Sequence, residues 1–436
     1  MRNIFVMGLD PFHLNLLEQI RDEGEEYQFL TLYENSEIVH PPDLEYPHLD
    51  DIRAHAGELF ASFPGAVDGI VGYWDLPTSL VLPLIARDHG LPAASPDAVA
   101  RCEHKYWSRL EQSAVVPDMV GRFQAFDPFD DDSVAGVELD YPFWIKPVKA
   151  HSSFLGYYID SPETLRSHLP TIRDRIGIMG RPMNEFLAEL DLPEEVAAID
   201  GYHCIAEELV SRGRQCTLEG YGWREEIEIF GIIDSVRTGR HGSSFSRYQY
   251  PSTLPDDVQV RMCEAASSLM RAVGYTGAAF NIEFYWDPDS DRIRLLEVNA
   301  RISKSHSPLF LFVDGSPNQH VCVHLALGRR PQMPKGQGSF RLAAKFMLRY
   351  FENGLIERVP TDNDIAALRQ HYPEALVRVL GTQGTRLSDL DLQDSYSFEI
   401  AEIFVGGDSE QELVQKYEDI VERLGFRIAP LQESMP

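Results

Sequence analysis

The segment Phe280–Arg301, FNIEFYWDPDSDRIRLLEVNAR, constrains this chain more than any other. Two apolar runs flank an Asp-rich stretch, so the segment predicts a β-hairpin. In the first run Phe280, Ile282, Phe284 and Trp286 share one face, which puts Asn281 and Glu283 on the other. In the second run Glu297 and Asn299 share a parity. With the turn at Asp287–Asp291, Glu283 falls opposite Glu297 or one diagonal step away, within reach of one common ion. Two such carboxylates repel unless a cation lies between them. Carboxylate and amide oxygens suit a hard cation, and Mg²⁺ takes few protein ligands while sharing the rest of its shell with phosphate oxygens and water. The pattern therefore points to a nucleotide. An EF-hand calcium loop is excluded, because its glycine position holds Arg292 and its bidentate-glutamate position holds Val298. The plain structural alternative is an exposed hairpin face carrying unpaired acids.

At 436 residues the chain exceeds one ordinary domain of about 100–200 residues, so two or three domains are expected. Its 44% hydrophobic and 25% charged residues match a compact fold. A formal charge of -29 repels nucleic acid and anionic membranes, and an anionic ligand needs a local nest of Lys and Arg. The N-terminal MRNIFVMGLDPFHLN lacks a signal-peptide apolar core, and no run approaches about 18 apolar residues, which reads as a cytoplasmic protein. Five scattered cysteines give neither zinc-ligand spacing nor a disulfide framework.

The first hundred residues alternate strand and helix in the βαβ rhythm of a parallel sheet. Asn3 to Gly8 reads as a buried strand, Asp10-Pro11 opens a helix running to about Gly24, and DGIVGYW, PTSLVLPLIARDHG and LPAAS read as strand, helix and strand. No G-x-G-x-x-G follows the first strand, so no dinucleotide site is assigned. Ser95-Pro96-Asp97 opens one long helix through DAVARCEHKYWSRLEQS. RRPQMPKGQGS, Arg329 to Ser339, has linker composition. The last hundred residues form an α+β segment whose final helix has capping-box spacing at Ser409 and Glu412, with Leu413, Tyr417, Ile420, Val421 and Leu424 on one face.

Taken together, FNIEF and EVNAR, the latter's Glu fourteen residues after the former's, resemble the magnesium carboxylates, Asn ligand and active-site Arg of the ATP-grasp superfamily. Other stations follow in family order. Lys105 in CEHKYWSRL resembles the helix lysine before the nucleotide domain, and Lys146 in YPFWIKPVKAHSS the strand lysine before the phosphate loop. IAEELV, Ile205 to Val210, is similar to the hinge that pairs with adenine, a role the resemblance gives to Glu207, Glu208 and Leu209. EVNARISKSHSP is similar to the N-x-R-x-S run of carbamoyl-phosphate synthetase. The likeness spans about residues 1 to 330, with a weaker one between the last hundred residues and the C-terminal domain of biotin-carboxylase-like members.

The resemblance implies a mixed α/β and α+β architecture: a Rossmann-like preATP-grasp domain at 1–95, an ATP-grasp nucleotide-binding and catalytic domain at 96–330 and a C-terminal α+β domain at 338–436. It implies ATP with Mg²⁺, or Mn²⁺ in its place. Lys105 and Lys146 would hold phosphates, Glu283, Glu297 and Asn299 the metal, and Arg301 the γ-phosphoryl group and acyl phosphate. The loop after Lys146 has Gly156 as its single glycine where relatives carry several, and Ser152 and Ser153 are the candidate phosphate contacts instead. Gln215 stands where many relatives have a ribose-binding Glu, and Ala300 where proline is usual. Arg237, with Arg240, His241 and Arg247 in DSVRTGRHGSSFSRY, marks the candidate substrate-carboxylate loop; a basic surface loop is the alternative.

The implied reaction phosphorylates a carboxylate and couples it to an amine, forming an amide or peptide bond with release of ADP and phosphate. The partners are then small molecules, and a homodimer is common among such proteins. A biotin-carboxylase-like or carbamoyl-phosphate-synthetase-like bicarbonate-activating enzyme is the alternative within the superfamily. The chain contains no A-M-K-M run and a single ATP-grasp unit, which favours the ligase. A non-catalytic ATP-binding regulatory protein is the alternative of another class, motivated by the glycine-poor loop.

Overall fold

The computed structural model describes residues 1–151, 153–239, 242, 244–390, 393–394 and 396–431. The chain divides into two compact units, the first comprising Met1–Ile232, Leu254–Ser307 and Ser316–Met333, the second Ile233–Thr253, Pro308–Gly315 and Pro334–Pro436. Each unit is thus assembled from separated stretches of sequence.

The first unit opens with β1 (Arg2–Leu9), β2 (Tyr27–Glu34) and β3 (Gly69–Gly72), a parallel sheet of order β2-β1-β3. Asp10 caps the first helix by accepting from the N–H of His13. That helix covers only Pro11–Leu17 rather than running to Gly24. Beyond the buried Ile20 the polar RDEGEE has no apolar face to bury. The helix Thr78–His89 ends on Gly90 in the left-handed conformation. Leu91–Ser95, expected to return to the sheet, is irregular and leads straight into the next helix. The third strand is instead supplied by Tyr27–Glu34, whose half-exposed pattern hid it from a search for buried runs.

One long helix was expected from Ser95 onward, but the chain forms two, Pro96–Glu103 and Lys105–Val115, divided at His104. His104 is itself the cap of the second helix: its Nδ1 accepts from the N–H of Trp107 at 3.2 Å while Nε2 donates to the carbonyl of Ile199 at 2.8 Å. Next come β4 (Phe123–Phe126), β5 (Phe143–Pro147), β6 (Tyr157–Ile159) and β7 (Cys204–Glu208), an antiparallel sheet of order β4-β7-β5-β6. Beyond it the chain runs through β8 (Arg214–Trp223), β9 (Glu226–Thr238), β10 (Ser244–Tyr250), β11 (Ala279–Asp287) and β12 (Arg292–Asn299). In the first unit β12, β11 and β8 are antiparallel neighbours in that order.

In the second unit residues 234–238 of β9 pair with β10, and β10 with β13 (Leu342–Tyr350). β14 (Gly354–Arg358), β15 (Leu376–Val379), β16 (Phe398–Gly407) and β17 (Arg427–Pro430) follow; β16 joins β13 to β15, while β14 pairs with β17. The helix Glu410–Leu424 lays Leu413, Ile420 and Leu424 onto this core, with Tyr417 stacked on Phe346 at 4.3 Å. Its cap departs from a capping box: Ser409 accepts from the N–H of Glu412, but the Glu412 carboxylate takes the N–H of Asp408. Among the described residues no helix is long and apolar enough to cross a membrane.

Candidate active site

β8, β11 and β12 place a polar stripe on one face of their sheet. Glu283 pairs directly with Glu297 across the β11–β12 ladder, and Asn281 with Asn299; on the other side Thr217 faces Glu283 and Glu219 faces Asn281. The register slips between Glu283 and Phe284, so that Phe284 meets Leu295. This bulge keeps both Glu297 and Leu295 in phase with their partners. Asn299 donates to Asn281 Oδ1 at 2.9 Å, and Asn281 donates to the carbonyl of Arg301 at 2.8 Å. The Gln215 amide donates to Glu283 Oε2 at 2.7 Å.

Cations meet these acids from the other elements. The ammonium of Lys105 donates to Glu297 Oε1, and Lys146 lies 3.7 Å from Glu297 Oε2 and 2.8 Å from Glu207 Oε2. Lys105 is placed by its backbone, whose N–H donates to the Val148 carbonyl just beyond β5 at 2.9 Å. Burial lowers the Lys105 ammonium below the ordinary lysine value, although Glu297 opposes it. Burial would raise the Glu297 carboxyl, but Lys105 and Lys146 together hold it below the ordinary range. Glu207 is likewise buried, yet Arg109 and Lys146 bring its carboxyl down to about 2. Arg109 donates to Glu207 Oε1 at 2.6 Å and to the carbonyls of Leu295 and Leu296 at 2.8 and 2.7 Å, fastening β7 to the bulged part of β12.

Arg301 is held from the parallel sheet. Its Nε and Nη2 donate to Asp75 Oδ2 at 3.0 and 2.5 Å, and Nη1 donates to the carbonyl of Ile302 at 3.2 Å. Glu219, fully buried, accepts from the N–H of Ser303 at 2.9 Å and meets His306 Nδ1 at 2.7 Å, which fixes the turn after Arg301. Burial pushes its carboxyl well above the ordinary carboxylate range.

The structure thus gathers Lys105, Lys146, Glu207, Gln215, Glu283, Glu297, Asn299 and Arg301 around one sheet face in the first unit. β7 ends at Glu208, whose exposed carboxylate accepts from the N–H of Arg122 at 3.1 Å; Leu209 begins the irregular segment beyond the ladder. Ser153 lies in the loop after β5 with φ +58°, and Leu155 with φ +53°, left-handed conformations that glycine adopts without strain. Phe154 and Leu155 are buried, so side-chain packing shapes this loop. Ser152 lies outside the described residues, as do Arg240 and His241. Arg237 belongs to the second unit, where its guanidinium rests 3.7 Å over the Phe245 ring; Arg247 pairs with Glu410 at 2.6 Å in the same unit.

Sequence reasoning missed Asp75, Glu103, Arg109, Lys149 and Glu219. Lys149 carried a signal: a charge amid PVKA, three residues past Lys146, demands a buried partner. A second ligand-like group, Asp22, His320 and His324, clusters elsewhere in the first unit. Gln332 donates its N–H to His324 Nδ1 at 3.1 Å, which leaves the proton on Nε2, and Nε2 donates to Asp22 at 2.9 Å. In that tautomer His324 is a donor to the carboxylate and not a metal ligand, and the group acts as a hydrogen-bonded clasp.

The chain is similar to several known proteins. Residues 232–332 match the family described as carbamoyl-phosphate synthase L chain, ATP binding domain. Over 260 residues, 58% of this chain, the sequence is 26% identical to the C-terminal section of the carbamoyl phosphate synthase large chain of Methanopyrus kandleri, covering 42% of that protein. Over 121 residues, 25% of this chain and 11% of the relative, it is 35% identical to the large chain of Rhodopirellula baltica. The chain therefore spans less than half the length of these curated relatives. Among solved structures, an L-amino acid ligase from Bacillus licheniformis superposes with a TM-score of 0.69 at 15% identity, covering 99% of both chains. A biotin carboxylase from Campylobacter jejuni gives 0.62 at 13% identity over 98% of this chain and 92% of that one. The fold is that of the ATP-grasp ligases. The ATP-grasp fold expected from the hairpin and lysine motifs is thus the fold observed.

Proposed function

We propose that the chain is an ADP-forming carboxylate–amine ligase, which phosphorylates a carboxylate to an acyl phosphate and couples it to an amine. The observation that carries this reading is the direct opposition of Glu283 and Glu297, with Asn299 two residues further along β12 and Lys105 and Lys146 beside them. These oxygens form a hard donor set that fits Mg²⁺ and leaves room in its shell for phosphate. When bound, Mg²⁺ neutralises charge on the transferring phosphoryl group. Lys105 and Lys146 exchange their carboxylate partners for the α- and β-phosphates, as ammonium groups can at little cost. Arg301 faces the γ-phosphoryl group and the acyl phosphate. Glu208 and Leu209, with the backbone of Glu207, form the adenine hinge; Gln215 is assigned to the ribose and Ser153 to phosphate, a role also assigned from the sequence to Ser152. In the second unit Arg237 is the candidate for the substrate carboxylate.

A bicarbonate-activating reaction is the second reading, favoured by the match of residues 232–332 to the carbamoyl-phosphate synthase domain. The deciding experiment measures ADP and phosphate release from Mg-ATP against amino acids, singly and in pairs, and against bicarbonate, with mass spectrometry of products. Release that requires a carboxylate and an amine, with a condensed product, supports the ligase. Release with bicarbonate alone supports the second reading, and tight ATP binding without release under any condition overturns both.

A further inference from the structure

Three charges of alternating sign, Asp75, Lys149 and Glu103, stand in line behind Arg301. The Arg301 guanidinium donates twice to Asp75 Oδ2; Asp75 Oδ1 accepts from Lys149 Nζ at 2.6 Å; Lys149 donates again to Glu103 Oε2; and Glu103 Oε1 accepts from the N–H of Ala300 at 2.7 Å. The chain of contacts starts on the Arg301 side chain and returns to the backbone one residue before it. Its members come from four places: the segment after β3, the end of the helix Pro96–Glu103, the loop after β5 and the end of β12. The side chains of Lys149 and Glu103 are 2% and 1% exposed and that of Asp75 9%, so none of these charges is screened by solvent and each depends on its neighbours.

We infer that Asp75, Lys149 and Glu103 form a relay of positioning residues that fixes the guanidinium of Arg301 beside Asn299, an assignment that rests on the ligase reading for its kinetic consequence. Arginine has a long stem and many rotamers, so an unanchored Arg301 loses conformational freedom only on meeting the phosphoryl group. Two donors on one carboxylate oxygen and a third on the Ile302 carbonyl remove that freedom beforehand. Lys149 is what allows two carboxylates to stand there: without it Asp75 and Glu103 would share a pocket with one cation and repel each other. Because Lys149 lies in the phosphate loop and Glu103 two residues before Lys105, the relay also ties both phosphate-binding segments to the Asn299–Arg301 turn. Tethering of this kind improves the transition state more than ATP binding, since Arg301 acts on the group being transferred.

The test uses Asp75→Asn, nearly isosteric, and Lys149→Met, each alone and combined with Arg301→Lys, with Lys149→Arg as the conservative control. The expected result is a kcat for ADP release lowered by about ten- to a hundredfold with KM for Mg-ATP essentially unchanged. The losses should be far from additive with Arg301→Lys, and Lys149→Arg should recover most of the rate. A folded Asp75→Asn with unchanged kcat, or losses that multiply fully with that of Arg301→Lys, would overturn the relay. A second readout is independent of turnover: the ¹⁵N–¹H signal of Arg301 Nε, assigned by its disappearance in Arg301→Lys, should be sharp in the wild type and broadened or lost in Lys149→Met. If the wild type forms no ligation product, the ligase reading falls alone and this signal decides the relay; a signal unchanged in Lys149→Met overturns it.

Discussion

Glu283 and Glu297 stand directly opposite each other on β11 and β12, and each is met by a different kind of group: an amide from Gln215 on the first, the ammonium of Lys105 on the second. Glu297 thus already holds a cation before any ligand arrives. Replacing Glu297 by Gln removes its negative charge while leaving a carbonyl that still accepts from Lys105. We expect Mg-dependent ADP formation to fall by at least about a hundredfold with the fold intact by circular dichroism. Retained turnover would remove Glu297 from the metal site.

Lys146 bridges Glu207 and Glu297 with one ammonium. Its loss should weaken Mg-ATP binding by about ten- to a hundredfold, the scale of one charge-assisted contact to phosphate. Calorimetric titration of Lys146→Ala measures this directly, and an unaltered affinity contradicts the phosphate role.

Arg109 illustrates a cost of another kind. It is 4% exposed, and its removal leaves the Glu207 carboxylate buried with Lys146 as its remaining cation and two β12 carbonyls short of a donor. Arg109→Ala should destabilise the first unit by about 3–5 kcal/mol, read from urea unfolding, a larger effect than truncating a surface arginine such as Arg423. A change below about 1 kcal/mol would show that the β7–β12 fastening contributes little.

Acidity should act through His104. Burial lowers its imidazole from 6.5 to about 4, and the neutral ring is the form whose Nδ1 accepts the Trp107 N–H. The folded-state value lies below the unfolded one, so the stabilisation is complete above about pH 6.5 and is lost as pH falls through 4. Thermal melts between those limits should show a declining midpoint in the wild type. In His104→Asn, where an amide oxygen caps the helix without titrating, the slope over the same range should be shallower. Identical slopes would assign the acid sensitivity to other groups.

The hairpin register, the parity of Glu283 with Asn281 and the apolar face of the last helix were legible because each follows from a period of two or of 3.6 residues over a short stretch. The parallel sheet was legible as a class but not strand by strand. Tyr27–Glu34 is only half buried and does not advertise itself as a strand, while the apolar LPAAS stays irregular and runs into the helix that starts at Pro96. The break at His104 was hidden for a similar reason: the amphipathic pattern continues through it, and only the carbonyl of Ile199, ninety-five positions away, makes the imidazole a cap.

Sequence by itself thus determined the chemical types present: two acids and an asparagine on paired strands, lysines ahead of them in order, an arginine after. Tertiary structure alone decided which charges face which. Asp75 and Arg301 are 226 positions apart, Lys105 and Glu297 192, and Glu103 and Ala300 197. No local period connects such residues. They meet because burying a charge without a partner costs more than the chain can sustain, so the packing that closes the first unit must bring opposite charges together as it excludes water.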